Sequence, residues 1–205
     1  MSPFRPDLVD CWIFRLANDR AAPGPGAGAG PTAPSAPDGP AGHAGASAPG
    51  ETTGRVAGGG PGLEILLLRR SPGRILPGLW QCVSGSLEEG ESPAEGALRE
   101  LAEETGLGPD AILGFYDLDQ VNQFHEPSYR AIVSSAVFAV RVRGEAEAVL
   151  SHEHDAMRWV SVADALELAV WPAYRESIHR IVENLVDPGR SIWFELTLAG
   201  DRAKQ

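Results

Sequence analysis

Apolar residues cluster in short runs along the chain, and the first two runs are typical of buried β-strands. One run covers Leu8 to Leu16 and the other covers Leu63 to Arg70, and both are rich in bulky apolar side chains. A longer run, from Ala131 to Val142, has the clearest strand pattern. We predict strands at all three places, and if the first two pair, the segment between them is an enlarged hairpin loop.

Weaker patterns add further elements between and after these runs. Strand-like segments cover residues 79–83, 111–121 and 157–160. The polar stretches 122–129 and 152–155 are typical of loops, and the first of them is expected near a functional site.

Three segments have helical signals. The ranges 93–105 and 162–169 follow serine caps, and a last helix opens at Pro172 and is expected to stop by residues 187–189. The tail, residues 191–198, could add a strand, cover a surface or pair with another subunit. Strands alternating with helices predict an α/β fold, with a mixed sheet and helices on both faces.

The first of these helices has well-defined ends. Ser92 and Glu95 form a capping box around Pro93, and Gly106 suits a left-handed stop. An apolar stripe at helical spacing is expected to face the sheet. Its members are Ala94, Leu98, Leu101, Ala102 and Thr105.

Domain organisation follows from composition. Residues 1–187 are predicted to form one domain, which is interrupted at residues 19–61 by a segment rich in Gly, Ala and Pro. Such a segment buries too little apolar surface to offset its ordering entropy, so we predict a flexible insertion. Residues 188–205 are a C-terminal extension.

Charge and cysteine content narrow the functional class. The 205 residues have a net charge of −11, which argues against binding to a nucleic acid polymer. No apolar run is long enough to span a membrane, and no signal peptide is evident. The two cysteines, Cys11 and Cys82, are expected to be buried, reduced thiols in a cytoplasmic protein.

Three carboxylates on the helix are candidate ligands. Glu100, Glu103 and Glu104 are at positions i, i+3 and i+4, so they are neighbours on a face distinct from the apolar stripe. Their repulsion would be relieved by a hard divalent cation such as Mg²⁺ or Mn²⁺. The alternative is a solvated acidic face on which Arg99 pairs with Glu95 or Glu103.

Residues in the loop before the helix also have predicted roles around these acids. Gly85 allows the backbone to approach a metal or phosphate closely. Glu91 and Arg99 are candidates for an ion pair that holds loop and helix together, which is a structural role.

From Gly85 to Leu107, a segment called the box below, the residues fill every fixed position of the pattern G-x5-E-x7-R-E-U-x-E-E-x-G-U, where U is bulky and apolar. The chain therefore resembles the Nudix hydrolases. The resemblance implies an α/β/α sandwich and hydrolysis of a nucleoside diphosphate linked to another group. It also implies that Glu103, Glu104 and the Gly85 carbonyl bind the metal, with Glu100 as a ligand or the general base.

The flanks are similar to the dihydroneopterin triphosphate pyrophosphatase branch. The run 80–91 enters the box in that branch's manner, and the segment 151–160 matches its E-H-x(n)-W pattern. By this match Glu153 is a further metal-ligand or base candidate, with a solvated loop acid as the alternative. His152 and His154 are expected to be surface or hydrogen-bonding residues.

Candidate substrate contacts lie around the box. Arg70 is the first choice for a phosphate contact, ahead of Arg69 and Arg74. Trp80 and Gln81 could border the substrate base, although Trp80 could equally be a core residue. Two loop aromatics, Phe124 and Tyr129, could stack on a ring or simply pack.

The predicted function is metal-dependent hydrolysis of a nucleoside or pterin triphosphate, a small phosphoanhydride, with release of pyrophosphate. The alternatives are a house-cleaning hydrolase of damaged nucleotides or dinucleotide polyphosphates, and a non-catalytic nucleotide sensor. A homodimer is left open.

Overall fold

The computed structural model of the protein describes residues 8–19, 62–127 and 130–202. Within these ranges there are eight strands and four α-helices. The strands are β1 (Leu8–Leu16), β2 (Leu63–Arg70), β3 (Trp80–Gln81), β4 (Val83–Ser86), β5 (Ile112–Glu126), β6 (Ala131–Val142), β7 (His154–Ser161) and β8 (Glu195–Leu196). The helices are α1 (Pro93–Thr105), α2 (Val162–Leu168), α3 (Pro172–Asn184) and α4 (Pro188–Ser191).

All eight strands belong to one mixed sheet. Its main path is β3-β2-β1-β6-β5-β8, and β4 and β7 pair with β1 and β2. Strands β1 and β6 are parallel and the other pairs are antiparallel. Strands β1 and β2 pair as an antiparallel hairpin, with Ile13 opposite Leu66.

Alternate residues of β1 supply the two halves of the core. Val9, Cys11 and Ile13 pack in the cluster that contains Ala97 and Leu101 of α1. Trp12 and Phe14 pack in the cluster that contains residues of α2 and α3. Because a strand's side chains alternate between faces, β1 is buried on both sides, and the layers are α/β/α as predicted.

Several element boundaries differ from the prediction. The segment 122–126, which was expected to be a loop, continues β5, and its residues pair with β6 as far as Glu126 opposite Ala131. Backbone hydrogen bonds of a ladder do not depend on side-chain polarity, so the polar sequence concealed this extension. β7 likewise begins within the predicted loop, at His154.

The C-terminal region also departs from expectation. Helix α3 already ends at Asn184, before the stop that was expected at residues 187–189. Asp187 and Pro188 instead cap and begin the short helix α4. Of the predicted tail strand, only Glu195 and Leu196 pair with β5. Leu196 joins the core on the α1 face, so part of the extension packs against the domain.

The remaining features of the chain are the two cysteines and the predicted insertion. Cys11 and Cys82 are buried and free, as predicted. Apart from Asp19, which forms an ion pair with Arg141, the predicted insertion lies outside the described residues, and so does Tyr129. Among the described residues, no helix is long and apolar enough to cross a bilayer.

Candidate active site

Helix α1 is fixed at both ends by its own sequence. The Ser92 hydroxyl accepts a hydrogen bond from the Glu95 backbone N–H, and the Glu95 side chain accepts one from the Ser92 backbone, which is the predicted capping box. At the other end Gly106 has φ 67° and donates to the Ala102 carbonyl. The two caps therefore fix where the helix begins and ends.

The apolar stripe of α1 is rotated relative to the prediction. Ala102 is exposed, whereas Ala97 is fully buried and takes its place in the contact with the sheet. With Ala97 and Leu101 at the centre of this contact, Glu104 lies on the buried side of the helix. The prediction that all three acids share a face away from the sheet is therefore wrong for Glu104.

Arg99 ties the entrance loop to the helix. Its Nε and Nη2 atoms donate to the two carboxylate oxygens of Glu91 at 2.8 and 2.9 Å, and Nη2 also donates to the Ser86 carbonyl at 2.8 Å. These hydrogen bonds from Arg99 lower the pKa of the Glu91 carboxyl. The predicted Glu91–Arg99 ion pair is thus present, and it closes the loop against α1.

Glu100 packs directly against the backbone of β4. A Cβ atom added at Gly85 would overlap the Glu100 carboxylate, so the close approach requires glycine. Arg99 Nη1 lies 2.8 Å from Glu100 Oε1 and 3.3 Å from Glu103 Oε2. Burial raises the pKa of Glu100, while the contact with Arg99 opposes that rise.

Glu103 and Glu104 have opposite environments although they are adjacent. The Glu103 side chain is 59% exposed. Glu104 is only 3% exposed, and its Oε2 atom has no hydrogen-bond partner within the described ranges. Burial, followed by the charges of Glu100 and Glu153, raises the pKa of Glu104 to about 8.

Glu153 acts on Glu100 and Glu104 from the segment before β7. It immediately precedes β7, and its backbone carbonyl accepts a hydrogen bond from the Ser71 N–H at 2.9 Å. Its carboxylate lies 2.9 Å from Arg74 Nη2. Because its charge raises the pKa of Glu100 and Glu104, the fold has brought an acid about fifty residues away in sequence close enough to act on these two acids of α1.

The oxygen atoms around Glu104 suit a hard cation. Among the described residues, no three His, Cys, Asp or Glu side chains are grouped so that they could hold a metal ion. Arg99 forms ion pairs with Glu100 and Glu103. The partnerless Glu104 oxygen, the Gly85 cradle and an all-oxygen donor set nevertheless fit a cation such as Mg²⁺ or Mn²⁺.

Residues 56–181, more than half of the chain, match the family model described as the NUDIX domain. The chain belongs to the Nudix family. The fold prediction is confirmed by this match and by a solved structure from Listeria monocytogenes, a protein assigned to the Nudix hydrolases. That structure has a TM-score of 0.60 and 20% identity, and the likeness covers 89% of this chain and 95% of the other.

Two curated relatives and a second structure belong to enzymes with stated activities. An octanoyltransferase of Myxococcus xanthus is 43% identical over 127 residues, which are 61% of this chain and 34% of that enzyme. The CTP pyrophosphohydrolase of Escherichia coli (strain K12) is 34% identical over 110 residues, 54% of this chain and 76% of that enzyme. The chain thus spans about a third of the first relative and three quarters of the second.

The second structure is the dihydroneopterin triphosphate pyrophosphohydrolase of E. coli. It has 26% identity and a TM-score of 0.51, and the likeness covers 58% of this chain and 85% of that chain. This similarity agrees with the branch that the flanks of the box resemble.

The cationic residues of this Nudix domain lie close to the acids. Arg70 ends β2, its Nε donates to the Ile75 carbonyl at 2.7 Å, and its charge lowers the pKa of Glu104. Arg74 contacts Glu153. Arg69 instead bonds Asp155, with Nε 2.7 Å from Oδ1. Of the three predicted arginines, Arg70 and Arg74 therefore face the acids and Arg69 is committed elsewhere.

Trp80 and Gln81, which were predicted to border the substrate base, lie on opposite faces of the sheet. Trp80 packs with the cluster on the α2 and α3 face, and Arg158 lies over its ring at 4.9 Å. Gln81 is buried, pairs with Leu68 of the α1-side cluster, and its Nε2 has no partner in the described part of the chain. Phe124 is 43% exposed near the end of β5.

Two buried polar residues were missed as site candidates. Asp10 on β1 is buried and accepts a hydrogen bond from Asn122 Nδ2 at 3.1 Å, and burial raises its pKa. An aspartate between the apolar residues of a buried strand was a visible signal for it. The other is His154, which is 4% exposed and has neither ring nitrogen bonded within the described residues. The surface alternative for His154 is therefore wrong, and the hydrogen-bonding alternative stays a prediction.

His152 agrees with the prediction. It is exposed, and its Nε2 lies 2.7 Å from Arg74 Nη2. His154 differs because it is the first residue of β7, whereas His152 lies in the loop before that strand. Whether a polar side chain in a strand is buried depends on how that strand pairs with its neighbour.

Proposed function

We propose that this Nudix domain is a pyrophosphohydrolase that cleaves a nucleoside or pterin triphosphate and releases pyrophosphate, with Mg²⁺ or Mn²⁺ as its cation. The observation that carries the proposal is the buried Glu104 carboxylate, whose Oε2 atom has no hydrogen-bond partner in the described residues. A buried carboxylate subject to the charges of two further acids, Glu100 and Glu153, is costly without a cation.

The residues have separate roles in this proposal. Glu100, Glu103, Glu104 and the Gly85 carbonyl hold the cation. When bound, the cation offsets the negative charge of the phosphate oxygens and lowers the pKa of the attacking water. Glu91 and Arg99 hold the loop and helix in place, as their ion pair does already.

Proton transfer and substrate binding fall to the remaining residues. Glu153 or Glu100 accepts the proton as water attacks phosphorus and the bond to the leaving pyrophosphate breaks. Arg70 contacts the phosphates. Gln81, on the α1 face of the sheet, borders the base, whereas Trp80 packs on the opposite face.

Two relatives support a triphosphate as the substrate. The names of the CTP pyrophosphohydrolase and the dihydroneopterin triphosphate pyrophosphohydrolase both specify a triphosphate carried on a ring-bearing group. We do not extend octanoyl transfer to this chain, because the matched residues are 34% of that enzyme.

The test is a substrate panel with the full chain. CTP, the other ribo- and deoxyribonucleoside triphosphates and dihydroneopterin triphosphate are each incubated with Mg²⁺ or Mn²⁺, and products are separated by anion-exchange chromatography. We expect pyrophosphate from at least one substrate and no reaction in EDTA. Absence of turnover throughout the panel would reject the proposal, and a thermal shift with nucleotide but no product would instead favour a nucleotide sensor.

A further inference from the structure

His154 and Glu104 form a buried pair of polar side chains on the α1 face of the sheet. His154 Nδ1 lies 3.8 Å from Glu104 Oε2, and both side chains are almost fully buried. Neither ring nitrogen of His154, nor Glu104 Oε2, has a hydrogen-bond partner in the described residues. A buried polar group without a partner costs about 1–3 kcal/mol, so an unbonded pair at this distance requires an explanation.

A β-bulge places the His154 ring on this face. Along the β2–β7 ladder Arg69 pairs with Ala156, but the next residue, Arg70, pairs with His154, so Asp155 is an extra residue in β7. Without the bulge, Asp155 would take the position opposite Arg70. Asp155 instead bonds Arg69 at the surface, and His154 occupies the inward position.

Backbone hydrogen bonds fix the approach of this segment to α1. The Ser151 N–H donates to the Glu104 carbonyl at 3.0 Å, and the Val149 N–H donates to the Thr105 carbonyl at 2.8 Å. The strand that begins at His154 is thereby docked on the last turn of α1. The proximity of the two side chains is a consequence of main-chain contacts on both elements.

We propose that His154 is a positioning residue for Glu104, to which its Nδ1–H group donates a hydrogen bond that orients the carboxylate. A reduction of about 1 Å in the Nδ1–Oε2 separation gives a normal hydrogen bond and satisfies both buried atoms together. Carboxylates that bind metals are themselves held by hydrogen bonds from outer-shell groups. The inference rests on the proposed role of Glu104 as a cation ligand.

The experiment measures Mn²⁺ binding in the absence of substrate, from the electron paramagnetic resonance signal of free Mn²⁺. The full chain is compared with His154→Asn, whose amide can donate from about the place of Nδ1, with His154→Gln, which reaches the place of Nε2, and with His154→Leu. We expect His154→Asn to bind Mn²⁺ much as the unsubstituted protein does. His154→Gln and His154→Leu should bind roughly 10- to 100-fold more weakly.

Two controls separate positioning from packing. His179→Leu, at an exposed position of α3, should leave Mn²⁺ binding unchanged. In a Glu104→Gln background, His154→Leu should cause no further loss, because its effect passes through Glu104. Thermal melting in EDTA establishes that each variant is folded, and the Asn and Gln variants decide the question if the Leu variant is not.

The outcomes are distinct from those of the substrate panel. Unchanged Mn²⁺ binding in His154→Leu would overturn the inference, as would binding that survives in the Gln variant and is lost in the Asn variant. An additive loss in the Glu104→Gln background would also overturn it. If the unsubstituted protein binds no Mn²⁺, the cation site itself is rejected, whereas failure of the substrate panel alone leaves Mn²⁺ binding intact.

Discussion

Glu104 is 3% exposed and has an elevated pKa of about 8, while the neighbouring Glu103 is mostly in solvent. The pair shows how two identical side chains at successive positions acquire different chemistry. Desolvation penalises the ionised form of Glu104, and the nearby acids add to the penalty. A cation bound at this position would remove both effects, so metal binding and ionisation of Glu104 are linked.

The pKa of Glu104 predicts how the stability of the metal-free protein depends on pH. Between the ordinary value of 4.5 and about 8, the unfolded chain has lost this proton and the folded protein retains it. The folded state binds more protons, so stability falls as pH rises through this window. We expect Glu104→Gln to abolish this fall, matching the unsubstituted protein near pH 4 and exceeding it by on the order of a few kcal/mol at pH 9.

Urea unfolding in EDTA at a series of pH values measures this difference. Glu103→Gln is the matched control, because its exposed carboxylate should contribute no comparable pH dependence. An unchanged pH profile in Glu104→Gln would show that the buried carboxyl does not control stability.

A substitution of Glu103 is expected to affect catalysis with little effect on folding. We expect Glu103→Gln to lower kcat by roughly 10²-fold or more, as loss of several kcal/mol of charge stabilisation would do. Because the side chain is exposed, unfolding free energy should change by no more than about 0.5 kcal/mol. Steady-state kinetics and urea unfolding check the two expectations, with Glu89→Gln in the exposed loop as the control. Equal activity of the two variants would contradict the proposed ligand role.

At the scale of elements, the junction of β4 with α1 determines the shape of the site. Gly85 of β4 lies opposite Val9 of β1, and the Glu100 carboxylate fills the space where a Cβ would be. Arg99 clamps the intervening loop through Glu91. The helix can therefore approach the strand only if residue 85 has no side chain.

This contact predicts a large effect of a single methyl group. Gly85→Ala should displace the Glu100 carboxylate and reduce both Mn²⁺ binding and turnover by at least tenfold, since small displacements at a site have large effects on rate. Gly108→Ala is the control, because an added Cβ there meets no atom within 4 Å. Isothermal titration with Mn²⁺ and activity on the best substrate provide the measurements. Full activity of Gly85→Ala would mean that Glu100 tolerates displacement.

At the scale of the whole molecule, β1 is the element around which the domain is assembled. It pairs with β6 on one side and with both β4 and β2 on the other, and its side chains enter both halves of the core. The range 20–61 connects it to β2. The connected ends are close, since Leu16 pairs with Leu63 and a Cβ at Gly62 would overlap Ala17.

The proximity of these ends predicts that the connection can be shortened. Replacing residues 20–61 with a four-residue turn should preserve turnover and raise unfolding free energy by up to about 2 kcal/mol, because a roughly tenfold shorter loop costs less entropy to close. Thermal and urea unfolding, with kinetics on the best substrate, test this expectation. A folded but inactive variant would instead assign the segment a role in the site.

The sequence by itself was sufficient for local and strongly patterned features. The caps of α1, the strands β1, β2 and β6, and the Glu91–Arg99 pair all follow from residues within short windows or at fixed offsets. Such features depend on backbone geometry that neighbouring residues specify, so their prediction needs no knowledge of the fold.

Only the tertiary structure decided which polar side chains are buried. Glu104 and His154 lie some fifty residues apart, and their environments depend on how α1 rotates on the sheet and on a bulge between β2 and β7. Neither the rotation nor the bulge has a signal in the local sequence, because both arise from the packing of distant elements. The sequence therefore determined the acids and the reaction class that they suggest, while the fold determined which acid is desolvated and which histidine accompanies it.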